Sequence, residues 1–369
     1  MAESLDFEAL QAAGIANARE RAPLLEYLVS LGFTSEEMVR AERRGRLFGL
    51  AGDFLGWSGP PLHSLHSAAD ELGVLVGELE RAWTMFGLSA DSHDARMLSQ
   101  ADVDALATAV AMRAQYGDHV EPFLRVLGAT MARLAEAESS MIRVSQPDVW
   151  LGHSQNELAT ARAWRSTTEF IPRVGALIDV VHRQHLVSAR TFLEQLEGGP
   201  AASVVCGVGF ADLSGFTAMT QVLTHQELSA MITDFGATVS DVVHADGGRV
   251  VKFIGDEVMW VSSTPKLLVE AAVDLVSHSK AREFGLRVRA GLGFGEVLAI
   301  GGDYFGNPVN LAARLVAAAE PGQILAAADV REKLPGWSAT ALDPLPLKGF
   351  DEPVTAYDLG REGTGKGTP

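Results

Sequence analysis

Two apolar runs rich in β-branched residues each stop at an aspartate. VVCGVGF leads into the frame FADLSGFT with Asp212, and RVVKFIG leads into KFIGDEVM with Asp256. Runs of this kind and length read as strands, so each carboxylate sits where a strand ends and the backbone turns. Around them, strand and helix patterns alternate. SGFTAMTQVL and THQELSAMITDFGATVSDVVHADG read as helices, GRVVKFIGDEVMWVSS as two strands meeting at Gly255–Asp256, and TPKLLVEAAVDLVSHSKAREFG as a helix. LRVRAGLGFGEVLAI reads as a Gly-rich strand, GGDYFG as a turn, and NPVNLAARLVAAAEPG as a helix with Pro308 near its start. This order predicts an α+β sandwich with helices on one face of a sheet.

Composition divides the chain. All lysines lie beyond residue 198 (Lys252, Lys266, Lys280, Lys333, Lys348, Lys366), and Glu197-Gly198-Gly199-Pro200 combines a helix stop with a break. The stretch before it reads as almost wholly helical. SAADELGVLVGELERAWTMFGL has Ser67 as a candidate cap, SQADVDALATAVAMRAQYG has Ser99, and VEPFLRVLGATMARLAEAESSMIR begins near Pro122. TEFIPRVGALIDVVHRQHLVSARTFLEQLE continues to the break, with Pro172 and Gly175 as points where it would bend. The expected organisation is a helical domain over 1–184, a linker helix and break over 185–199, an α+β domain over 200–361 and a disordered Gly-rich tail over 362–369.

Bulk numbers narrow the class. With 369 residues and 47% hydrophobic content, two ordinary globular cores are expected. A net charge of -17 argues against general affinity for nucleic acid or anionic lipid, so an anionic substrate must be held by local cations and metal. A single cysteine, Cys206, excludes a disulfide framework and fits a reducing cytoplasm. The start lacks a basic-then-apolar signal segment, and no apolar run reaches the ~20 residues of a membrane helix. The expectation is a cytoplasmic protein without a membrane span.

The frames FADLSGFT, KFIGDEVM, GGDYFGNPVNLAAR and PLKGF stand in that order, and together they resemble the catalytic domain of class III adenylyl cyclases over nearly the whole second half. The resemblance implies an all-α N-terminal domain followed by an α+β, ferredoxin-like class III nucleotidyl cyclase domain. It implies conversion of ATP to 3′,5′-cyclic AMP and pyrophosphate by a homodimer with shared sites. Asp212 and Asp256, with Leu213 beside the first, match the metal-binding set for two divalent cations, Mg2+ or Mn2+. Carboxylates suit these hard cations, which would activate the ribose 3′-hydroxyl and steady the triphosphate.

The remaining matches are substrate-facing. Ser214, Gly215, Phe216 and Thr217 open a helix whose amides suit phosphate oxygens. Lys252 and Asp303 match the adenine-selecting pair: the cation faces a ring nitrogen, and the carboxylate accepts from the exocyclic amine that guanine lacks. Asn310 and Arg314, four apart on one helix face, match the ribose-orienting Asn and the Arg that stabilises charge on phosphorus. Lys348 in PLKGF matches a lysine for the terminal phosphates. GGDYF at Gly301–Phe305 looks like a diguanylate cyclase signature, but there that signature sits on the central hairpin, where this chain has FIGDE.

The helical half resembles the regulatory domain ahead of mycobacterial-type cyclases that respond to pH. Seven of the ten histidines fall there: His63, His66, His93, His119, His153, His182 and His185. His182 and His185, three apart and nearest the second domain, are the candidate regulatory residues, because histidine changes charge between pH 5 and 8. Other readings stay open. The stretch from Ser67 to Leu88 has helix-turn-helix character, giving a nucleotide- or DNA-binding module without cyclase activity as an alternative, although acidic charge and the absence of lysine oppose it. A cyclase of other nucleotide specificity is another. Leu- and Met-rich faces leave room for an apolar ligand among the helices, as well as for plain core packing.

Overall fold

The computed structural model describes residues 5–145, 156–198, 202–283 and 285–360. His153, Gly199–Pro200 and the tail from 361 onward lie outside the described residues. The chain divides into two compact units, Met1–His185 and Leu186–Pro369.

The first unit is helical throughout. Helices α1 (Phe7–Ala12), α2 (Ala22–Ser30), α3 (Ser35–Arg43) and α4 (Leu50–Asp53) share one core with Ala161 of a later helix, α9 (Glu157–Thr168). Arg21 locks this group: its Nε–H donates to Glu157 at 2.7 Å and its Nη1–H to Glu42 at 2.6 Å, with the side chain only 17% exposed. A second core forms among α5 (Leu65–Leu72), α6 (Val76–Met85), α7 (Gln100–Tyr116) and α8 (Val120–Ser145). Gly128 lets α8 sit against the backbone of Phe86, where a Cβ would lie 2.5 Å from the Phe86 carbonyl carbon.

Capping explains the helix boundaries and corrects one expectation. Ser99 caps α7, its hydroxyl accepting from the Asp102 amide. Ser67, however, is not a cap. Ser64 caps α5 and Ser67 closes the box from inside the helix. Gly73, at φ +68°, then separates α5 from α6. The last helix, α10 (Ile171–Glu194), runs unbroken through Gly175. Pro172 lies in its first turn, where a missing N–H costs nothing, so it starts the helix instead of bending it.

The second unit is a sheet of nine strands: β1 (Glu197–Gly198), β2 (Ser203–Ser214), β3 (Arg249–Ile254), β4 (Glu257–Ser262), β5 (Arg287–Ile300), β6 (Asp303–Phe305), β7 (Ile324–Ala327), β8 (Thr340–Ala341) and β9 (Ala356–Asp358). Its path is β3-β4-β2-β5-β7-β9-β8, with β1 on β2 and β6 on β5. The four strands β3-β4-β2-β5 pair antiparallel. With their intervening helices they give the βαββαβ order of a ferredoxin-like core. The GGDYFG turn is tighter than expected: only Gly301–Gly302 turn, and Asp303 to Phe305 form β6 against Leu298–Ile300.

Helices α11 (Phe216–Met219), α12 (His225–Ala245), α13 (Pro265–Ser277) and α14 (Ser279–Glu283) follow the strands. The expected helix from Pro265 to Glu283 breaks at His278, whose backbone is extended. On one sheet face α12 and α13 pack with Trp260, Val288, Ala290 and Leu292 in one core. On the other lies α15 (Asn307–Ala318), whereas α16 (Ala328–Lys333) joins the first core through Val330. Gly291 permits this contact. A Cβ there would stand 2.2 Å from the Val316 amide nitrogen and 2.3 Å from the Ala312 oxygen. Helices therefore occupy both faces, and the expectation of one covered face is corrected; Ala312 and Val316 share a core with Phe210 and Val297.

Candidate active site

Register brings the two aspartates together. Ala211 of β2 faces Val258 of β4, so Asp212 lies beside the β3–β4 turn that carries Asp256. On the other side Asp212 faces Arg289 of β5. Arg289 donates from Nε at 2.8 Å and Nη2 at 2.6 Å to one Asp212 oxygen, Oδ2. Its Nη1 reaches the carbonyls of Ala317 (3.3 Å) and Ala319 (3.2 Å), at the C-terminal end of α15. One guanidinium thus ties a strand-end carboxylate to the helix that carries Asn310 and Arg314.

The carboxylates are crowded. Burial, followed by the charge and hydrogen bond of Asp212, raises the Asp256 carboxyl above its ordinary range. Burial, with Asp212 and Asp256 adding to it, pushes Glu257 up to about 7. Arg289 is the cation that opposes both shifts. Among the described residues no group of three or more His, Cys, Asp or Glu is arranged to hold a metal by itself. The pair Asp212 and Asp256 is nevertheless suited to divalent cations: like charges meet with too little compensation, and oxygen donors are what such ions prefer. The buried Ser214 hydroxyl, at the end of β2, has no protein partner and adds an unused donor beside them. Leu213 is buried, and Gly215 turns the chain at φ +93° into α11, which carries Phe216 and Thr217.

Two further groups form. Lys252 of β3 and Asp303 of β6, 51 positions apart, make a half-exposed ion pair, and Asp303 also accepts from the Tyr304 amide at 2.8 Å. Arg314 donates from Nε to the Lys348 carbonyl at 3.0 Å, and Asn310 lies exposed one turn before it on α15. Among the described residues no hydrogen bond or ion pair joins the Lys252–Asp303 pair to the aspartates. Arg289 and Glu257 are the residues sequence reasoning missed. Their signal was a charge inside an apolar strand, at RVRAG, and an acid directly after Asp256. Cys206 is fully buried, and burial pushes its thiol up to about 12, so it is inert.

In the helical unit, histidines and acids pair. His66 Nδ1 meets Asp94 at 2.8 Å, His93 Nε2 meets Glu80 at 3.0 Å, and His63 Nδ1 lies 3.6 Å from Glu71. His182 and His185 are exposed on α10. Among the described residues no helix is long and apolar enough to cross a membrane.

Comparison with known proteins agrees with the geometry. Residues 201–360 match the adenylate and guanylate cyclase catalytic domain, and residues 5–189 match the adenylate cyclase regulatory domain. An uncharacterised protein of Mycobacterium tuberculosis is 65% identical over 360 residues, covering 97% of this chain and 95% of that one. A pH-sensitive adenylate cyclase of the same organism is 30% identical over 366 residues, covering 95% and 90%. A crystal structure of the adenylyl cyclase CyaB from P. aeruginosa aligns with 42% of this chain and 93% of its own, at 25% identity and a TM-score of 0.40. The chain therefore belongs to the class III adenylate and guanylate cyclases, as an enzyme in which the adenylate cyclase regulatory domain precedes the catalytic domain.

Proposed function

We propose that the enzyme cyclises ATP, and that a homodimer builds the pocket. The carrying observation is the Lys252–Asp303 pair, which joins a donor for a ring nitrogen to an acceptor for an exocyclic amine. Adenine offers that complement, whereas guanine would set an oxygen against the Asp303 carboxylate.

The chemistry is one displacement. The ribose 3′-oxygen bonds to the α-phosphorus, the α–β phosphoanhydride bond breaks, pyrophosphate leaves with its electron pair, and the hydroxyl proton passes to solvent. Two divalent cations, Mg2+ or Mn2+, would lower the pKa of the hydroxyl and neutralise the triphosphate when bound. Asp212 and Asp256, with the Leu213 backbone, would hold them. The amides of Ser214 to Thr217 would receive phosphate oxygens. Asn310 orients the ribose, Arg314 spreads its fork over charge growing at phosphorus, and Lys348 meets the terminal phosphates.

Exposed apolar side chains support a second copy. Phe253 and Ile254 follow Lys252, and Leu298, Ile300 and Phe305 frame Asp303; all five are 38–52% exposed. Apolar surface at a polar site is what a partner covers. Purified enzyme should form cyclic AMP from ATP far faster than cyclic GMP from GTP. Asp303→Ala should cut the ATP rate by at least tenfold while narrowing the ratio between nucleotides. An unchanged ratio would remove the pair from base selection.

Modulation by the helical domain in response to pH belongs to the same proposal, with His182 and His185 as the candidate regulatory residues. The His182→Ala/His185→Ala variant should show a displaced pH–activity profile. A superimposable profile passes the role to the acid-paired His63, His66 and His93.

A further inference from the structure

The helical unit holds a cavity of about 450 Å³ that none of the above uses. Arg40 and Arg44 reach it from the end of α3, and Arg96 from the segment between α6 and α7. Trp57, Trp83 and Leu88 supply its apolar wall. Trp57 is 45% exposed and Leu88 46%. Among the described residues none of the three guanidinium groups has a hydrogen-bonded or ion-paired partner.

The acids nearby are already engaged. Glu37 accepts from the Thr34 amide at 2.8 Å and its hydroxyl at 2.9 Å, closing the cap of α3. Asp102 accepts from Ser58, and from the amide and hydroxyl of Ser99, closing the cap of α7. Three guanidinium groups therefore line the cavity against two carboxylates held in helix caps, which leaves a net positive charge at this place in a chain whose net charge is -17. Such convergence is stabilised by a multiply charged anion, and guanidinium forks are matched to phosphate. Two indoles beside them provide flat faces on which a base stacks, and the volume is that of a small-molecule site.

We propose that this cavity binds a nucleoside phosphate, with the phosphate on Arg40, Arg44 and Arg96 and the base against Trp57 and Trp83. It is a second nucleotide site, separate in sequence and residues from the cyclising one, and it does not depend on the cyclase reading. The test is calorimetric titration of the full-length protein in EDTA with AMP, alongside tryptophan fluorescence. AMP should bind saturably, and binding should persist in Lys252→Ala/Asp303→Ala. It should weaken at least tenfold in Arg40→Gln/Arg44→Gln/Arg96→Gln and in Trp57→Leu, all at exposed positions whose thermal melts check folding. Inorganic phosphate and adenosine should each bind at least tenfold more weakly than AMP.

Three results would overturn the proposal: no saturable AMP binding, binding lost with Lys252 and Asp303 but untouched by the arginine changes, or phosphate binding as tightly as AMP. Cyclic AMP formation by wild-type protein, measured in parallel, separates failure here from failure of the cyclase reading.

Discussion

Glu257 shows how a single side chain reports the electrostatics of the carboxylate cluster. Its pKa stands at about 7 in the fold against an ordinary 4.5, because burial and two neighbouring aspartates disfavour its charge. A raised carboxyl pKa means that the folded state holds the proton more tightly than the unfolded chain. Below pH 4.5 both states are protonated and nothing is lost. Between 4.5 and 7 the folded state loses stability relative to the unfolded chain, and above 7 the loss is complete. Glu257→Gln removes that loss. In EDTA, the gain in Tm from this substitution should be larger at pH 8 than at pH 5.5 by about 2 °C or more. Equal gains at the two pH values would mean that the cluster does not strain the fold. Arg289 works in the opposite direction, and neither residue was visible as a site member in the sequence. An Arg in a strand reads as an outward-facing charge until register sets it opposite Asp212.

Elements were more legible than contacts. Strand runs ending at Asp212 and Asp256 announced themselves by β-branched composition, and Ser99 announced α7, because those signals are local. Ser67 and Pro172 were misread because a cap or a first turn is decided by where the helix begins, which periodicity leaves uncertain by a few residues. The face of β5 that receives α15 was hidden for a different reason: its requirement is a glycine, and the long-range contact that demands it has no local mark. This difference can be measured with two identical substitutions. Gly175→Ala lies in the exposed part of α10 with nothing within 4 Å of its new methyl, so it should stabilise the protein by about 1 kcal/mol. Gly291→Ala drives the same methyl into the backbone of α15. It should cost about 2 kcal/mol or more and lower cyclase activity by displacing Asn310 and Arg314. Thermal melts with parallel activity assays decide both, and a neutral Gly291→Ala would show that α15 does not need this close approach.

At the scale of the whole molecule, the surface is acidic while the substrate is a polyanion, so binding must come from a few converging groups instead of a general field. Under the proposed assignment one chain provides these groups in separate sets: the aspartates tied by Arg289, the Lys252–Asp303 pair, and Arg314 of α15 on the Lys348 carbonyl. Each set is complete, yet no contact among the described residues carries the Lys252–Asp303 pair to the carboxylates. The exposed Phe253, Ile254 and Phe305 lie beside Lys252 and Asp303, where the proposed symmetric mate would cover them. If one subunit's carboxylates serve with the other's Asn310, then Asp256→Ala and Asn310→Ala are each inactive alone. Co-expressed, they form heterodimers with one sound pocket and one doubly damaged pocket. Random pairing makes half of all dimers mixed, each with one working site of two, so activity should return to about a quarter of wild type. Cyclic AMP production by the co-purified mixture, with heterodimers verified by differential tags, measures it. Heterodimers that form but produce nothing would mean that the sets do not meet across a two-fold axis.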